Sequence, residues 1–105
     1  MGAGLAAAVC LGVAPAAAQA APPTLAQLVG QRLVVAMSGT RANAPLLARI
    51  RAGQVGGVIL FSNNVVSRAQ VARLTAALQA AAHAGGRPPL IIATDQENKL
   101  IHHIP

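Results

Sequence analysis

Tryptophan and tyrosine are absent from this 105-residue chain, and phenylalanine occurs once, at Phe61. Binding single-stranded nucleic acid by stacking needs several aromatic rings, so a net charge of +6 does not by itself argue for a nucleic-acid partner. The basic residues are arginines apart from Lys99, and they are spread along the chain rather than blocked together. That is the pattern of solvated helix faces, not of a phosphate-tracking patch. Acid is scarcer still. Asp95 and Glu97 are the only side-chain carboxylates, two residues apart near the end of the sequence. Cys10 is the only cysteine, which excludes an internal disulfide.

Long apolar runs are also missing. Residues 1–20, MGAGLAAAVCLGVAPAAAQA, carry no charge, but Pro15 interrupts them. A stable membrane span needs ~20 apolar residues in sequence. The stretch closes on Ala18-Gln19-Ala20, a small-residue pattern of the kind a signal peptidase reads, with Pro22-Pro23 behind it. Residues 1–20 are therefore expected to be a secretory signal peptide. Residues 21–105 are then the exported domain, periplasmic or extracellular, at a marginal length for an independent core.

What is present has a regular rhythm. Thr24 can cap a short helix through Leu25, Leu28 and Val29. RLVVAMSG reads as a strand running into a Ser-Gly turn. Asn43 can cap a second helix, with Pro45 tolerated in its first turn, Leu46, Leu47 and Ile50 as its buried stripe and Gly53 at its end. GGVILF is a second strand. Ser67 and Gln70 have capping-box spacing at the start of a longer helix, whose apolar face is Val71, Leu74, Leu78 and Ala81. Gly85-Gly86 close it, and PLIIATD is a third strand. Unbroken apolar strands joined by helical crossovers predict a parallel sheet buried on both faces, hence an α/β fold. A doubly wound sheet and a (β/α)8 barrel both begin this way, and neither is complete with three strands.

In both architectures ligands meet the C-terminal ends of the strands. Three polar segments fall there: Ser38-Gly39-Thr40, Ser62-Asn63-Asn64 and Asp95-Gln96-Glu97. A carboxylate at such a rim can hold ligand hydroxyls; equally, Asp95 can cap a turn. Asp95 and Glu97 do not suit a catalytic pair by themselves. Alternate residues of a strand lie on one side, roughly 6.5 Å apart, whereas glycosidase carboxyls flank the scissile bond. His102 and His103 are adjacent and have no third ligand nearby, so no metal is expected. His83 suits the negative end of the long helix. The glycines of GQVGGV precede a strand, the wrong order for a phosphate loop.

VGQRLVVAMSGT, AGQVGGVILFSNNV and PPLIIATDQE together resemble the opening of family 3 glycoside hydrolases, in their β-N-acetylhexosaminidase branch, over roughly residues 24–97. The resemblance implies the first three parallel strands, with connecting helices, of an incomplete (β/α)8 (TIM-type) barrel. It implies retaining hydrolysis of terminal β-linked N-acetylhexosamine, with an N-acetylglucosamine-containing saccharide as partner and no cofactor. Residue by residue, Asp95 matches an acid that binds sugar hydroxyls and Glu97 one that supports its loop. His103 stands where a substrate-contacting arginine is usual, Leu100 where another arginine is, and Asn98 and Lys99 where glycines are. The family's nucleophile and acid/base segments have no counterpart in these 105 residues, so no catalytic residue is assigned and the chain alone is expected to be inactive. The alternative is a small exported carbohydrate-binding module without catalysis.

Overall fold

The computed structural model describes residues 21–97. The expected signal peptide at 1–20, and the tail that holds Asn98, Lys99, Leu100, His102 and His103, lie outside the described residues. Helices and strands alternate: α1 Leu25–Gly30, β1 Val34–Ala36, α2 Ala44–Arg51, β2 Gly57–Leu60, α3 Arg68–Ala84 and β3 Ile91–Thr94, with a 3-10 turn at Ser62–Asn64.

Each helix begins where a side chain satisfies backbone N–H groups that the first turn leaves free. The Thr24 hydroxyl accepts from the Gln27 N–H at 3.3 Å, and the Gln27 side chain accepts from the Thr24 N–H at 3.0 Å, closing a full capping box. Asn43 Oδ1 accepts from the Leu46 N–H at 2.9 Å. Ser67 Oγ accepts from the Gln70 N–H at 3.1 Å, opening α3 as expected. The expected box there is modified. Gln70 Oε1 accepts from the Val66 N–H, and its amide NH2 crosses the fold to the carbonyl oxygens of Thr40 and Asn64, at 2.8 and 3.0 Å. One side chain thereby satisfies three backbone groups instead of one. α2 is followed by Gly53 at φ +77°, a left-handed turn that glycine adopts without strain.

The three strands are parallel in the order β1-β2-β3. Val34, Gly57 and Ile91 share one row of the register, and Val35, Val58 and Ile92 share the next. Period-two alternation then separates two faces. Val58 and Leu60, fully buried, pack with Ile50, Leu74, Leu78, Ala81 and Ala82 of α2 and α3, and Val35 and Ile92 lie against this core. The opposite face carries Val34, Ala36, Ile59, Ile91 and Ala93. Val34 is 50% exposed and Ile91 62%. Burial of β1 and β3 on both faces, expected from their apolar runs, is met on one face only, because α2 and α3 both pack on the same side. Among the described residues nothing covers the other.

Gln79 fastens the third strand to the helix layer. Its amide donates to the Leu90 carbonyl and accepts from the Leu90 N–H, both at 2.9 Å. A side-chain amide here does the work of a neighbouring strand, just before β3 begins.

Candidate functional site

The C-terminal ends of β1, β2 and β3 lie side by side, and side chains lace them together. β2 gives way to the turn at Phe61, whose N–H is drawn to Asn64 Oδ1 at 2.9 Å while the Asn64 N–H returns to the Phe61 carbonyl at 2.8 Å. The Asn64 amide group then donates to the carbonyl oxygens of Met37 and Gly39, at 3.0 and 2.8 Å, beyond the end of β1. Met37 is thus held by a side chain instead of a strand partner, and β1, shorter than RLVVAMSG suggests, ends at Ala36. Across the other junction the Thr94 hydroxyl donates to the Leu60 carbonyl at 2.8 Å. Leu60 and Thr94 are register partners and end their respective strands.

Asp95 follows this last clamp directly. Its side chain is exposed, as is that of Glu97. Among the described residues neither carboxylate has a hydrogen-bond or ion-pair partner. Asp95 stands directly after β3, at the tips of the strands. The remaining site residue expected from sequence, His103, lies outside the described residues. Ser38, Ser62 and Asn63 are exposed at the same end of the sheet, but Asn64 is fully buried and its polar atoms are all engaged. It orders the rim and is not offered to a ligand. His83 is exposed in the last turn of α3. Among the described residues no three His, Cys, Asp or Glu side chains gather in one place.

A cleft of about 540 Å³ lies between residues 40–42 and α3. Another, about 260 Å³, runs along the outer edge of β1 against α2, past Met37, Asn43 and Arg49. Asp95 and Glu97 line neither, since a three-stranded sheet open at both edges does not enclose the space above its tips.

No protein-family model matches the chain. A beta-hexosaminidase of Alkalilimnicola ehrlichii is 45% identical over 65 residues, which are 62% of this chain and 18% of that one. A glycoside hydrolase family 3 beta-N-acetylglucosaminidase from Paenibacillus sp. str. FPU-7 aligns in space with a TM-score of 0.67 at 39% identity, over 72% of this chain and 14% of that chain. In sequence and in fold the chain resembles family 3 glycoside hydrolases. NagZ from Neisseria gonorrhoeae, crystallised in complex with N-trifluoroacetyl-D-glucosamine, aligns with a TM-score of 0.60 at 28% identity, covering 70% of this chain and 20% of that one. The chain spans under a fifth of the length of the curated relatives it matches.

Several contacts that shape the rim are not legible in the sequence. Gln70 is legible as half of a capping box, but its reach to the Thr40 and Asn64 carbonyls is not. Gln79 gives no local signal, and Thr94 looks like the last residue of an apolar strand. The one usable signal was Asn64, an amide immediately after a strand with no polar residue. Nothing in the local sequence says that its partners lie 25 and 27 residues upstream.

Proposed function

We propose that this chain supplies the first three strand–helix units of a (β/α)8 barrel in a retaining β-N-acetylhexosaminidase, and that Asp95 holds hydroxyl groups of a terminal β-linked N-acetylglucosamine residue. The observation that carries the reading is the position of Asp95. It is exposed and unpartnered among the described residues, one residue beyond the Thr94–Leu60 clamp. Alternation along β3, continued past Thr94, brings Asp95 to the side of Ile91 and Ala93, the face the helices leave open. In a barrel that face is the interior. The relatives' names, and the crystallisation of NagZ in complex with an N-acylated glucosamine, support the substrate class. In the same proposal Glu97 supports the loop, and His103, outside the described residues, takes the sequence position of a substrate-contacting arginine.

These 105 residues do not catalyse the reaction by themselves. Retaining hydrolysis needs a nucleophile and an acid/base group on opposite sides of the glycosidic bond, about 5–5.5 Å apart. Asp95 and Glu97 leave the same strand end. Incubation with a chromogenic N-acetylglucosaminide is expected to show no turnover above buffer, and steady turnover would overturn this reading.

Calorimetric titration with N-acetylglucosamine tests the assignment of Asp95. Asp95→Asn keeps the size of the side chain and removes the charge behind its hydrogen bonds. It is expected to weaken binding by about tenfold, the scale of one charge-assisted hydrogen bond, with an unchanged circular-dichroism spectrum because the residue is exposed. Equal affinity in wild type and variant would remove Asp95 from the site. Tight saturable binding by the chain alone would instead favour a carbohydrate-binding module. Residues 1–20 direct export in this proposal, so mass spectrometry of secreted material should find a mature N-terminus at Ala21.

A further inference from the structure

We propose that the cleft between residues 40–42 and α3 binds a small carboxylate with an apolar body, at a site that Asp95 and Glu97 do not line. Its volume of about 540 Å³ falls within the roughly 300–1,000 Å³ of small-molecule sites. Leu74 forms a buried floor, and Ala77 and the 73%-exposed Val66 add apolar wall. Arg41 and Arg73 line the same cleft, and among the described residues neither has a partner.

The remaining polar groups narrow the ligand's chemistry. The Gln70 side chain, which also lines the cleft, is committed to Val66, Thr40 and Asn64. The Ser67 hydroxyl accepts from the Gln70 N–H and keeps its own proton to donate. Two guanidinium groups and the Ser67 and Thr40 hydroxyls therefore supply donors, while the Thr40 carbonyl already accepts from Gln70. An ionised carboxylate only accepts, and its planar pair of oxygens matches the guanidinium fork. The chain cannot supply that group from the described residues, because Asp95 and Glu97 are the only acids in the sequence and lie elsewhere. The apolar floor adds a preference that bare ions lack: a short hydrocarbon body gains by leaving water.

Saturation-transfer NMR on the full 105-residue chain, with hexanoate as probe, tests the site. Self-association does not interfere with this measurement, since larger particles transfer saturation more efficiently. Hexanoate should respond more strongly than hexanol or acetate at equal concentration, because each of those lacks one half of the recognition. Arg41→Ala combined with Arg73→Ala should weaken hexanoate binding by about tenfold or more. Arg32→Ala with Arg51→Ala removes the same charge elsewhere and should leave it unchanged. Ala77→Phe fills the cleft without altering charge and should also abolish the response. It decides the matter if the cleft arginine pair loses its helical dichroism on substitution. Equal responses from hexanoate and hexanol, equal losses in the two double variants, or retained binding in Ala77→Phe would each overturn the proposal. So would displacement of hexanoate by inorganic phosphate as readily as by a second carboxylate, which would mark a plain anion site.

Discussion

Asn64 concentrates more of the rim's order than any charged residue does. Truncation to alanine orphans the Phe61 N–H and the carbonyl oxygens of Met37 and Gly39. Gly39 is exposed and its carbonyl can turn to water, but Met37 is buried. An orphaned buried group costs about 1–3 kcal/mol, so Asn64→Ala should loosen the tips of both β1 and β2. Hydrogen exchange at the Phe61 amide is the direct reading, and protection there should fall. Asn64→Asp is nearly isosteric, yet it turns a donor into an acceptor facing two carbonyl oxygens. It should be at least as disruptive as alanine. Full protection in Asn64→Asp would mean that the network is incidental to the position of the rim.

At the scale of elements, β3 hangs from α3 by Gln79 and from β2 by the strand ladder. Gln79→Leu preserves bulk but strips Leu90 of both its backbone partners, again at about 1–3 kcal/mol per buried group. Exchange should quicken in β3, including the Ile91 amide that donates to the Gly56 carbonyl, while the β1–β2 pairing keeps its protection. Gly85→Ala should act more broadly. An added Cβ would collide with the Arg51 carbonyl oxygen, so the end of α3 must move away from the end of α2. Such features mark the limit of what the sequence discloses. The N-caps at Thr24, Asn43 and Ser67 were legible because a cap and its target lie within three residues, and the crossover pattern followed from the spacing of apolar runs. Gln79, Gly85 and Asn64 have partners 11, 34 and 27 residues away, and no local propensity encodes those encounters. Asp95 could be placed at a strand tip from sequence because the strand before it was clear. The clamp that holds it there could not.

For the whole molecule, the decisive quantity is the balance between the apolar face the helices leave open and a net charge of +6. Val34, Ala36, Ile59, Ile91 and Ala93 form that face, and β1 and β3 are open edges of the sheet among the described residues. Bare edges beside apolar surface favour pairing with another chain. Mutual repulsion between like-charged copies opposes it, but only over roughly 8–10 Å at moderate salt. Association should therefore increase as salt is raised, the reverse of what surface ion pairs would give. In sedimentation velocity the wild-type chain is expected to run as a mixture of sizes, shifting upward between low and high ionic strength. Ile91→Lys places a charge at a position already 62% exposed, at little cost to the core on the other face. It should move the distribution toward monomer without loss of helical dichroism. Because Ile91 shares its register row with Val34 and Gly57, Val34→Lys should act the same way, whereas Arg32→Lys beside it should not. A wild-type chain that sediments as one monomeric species at every salt concentration would show that this face is already covered.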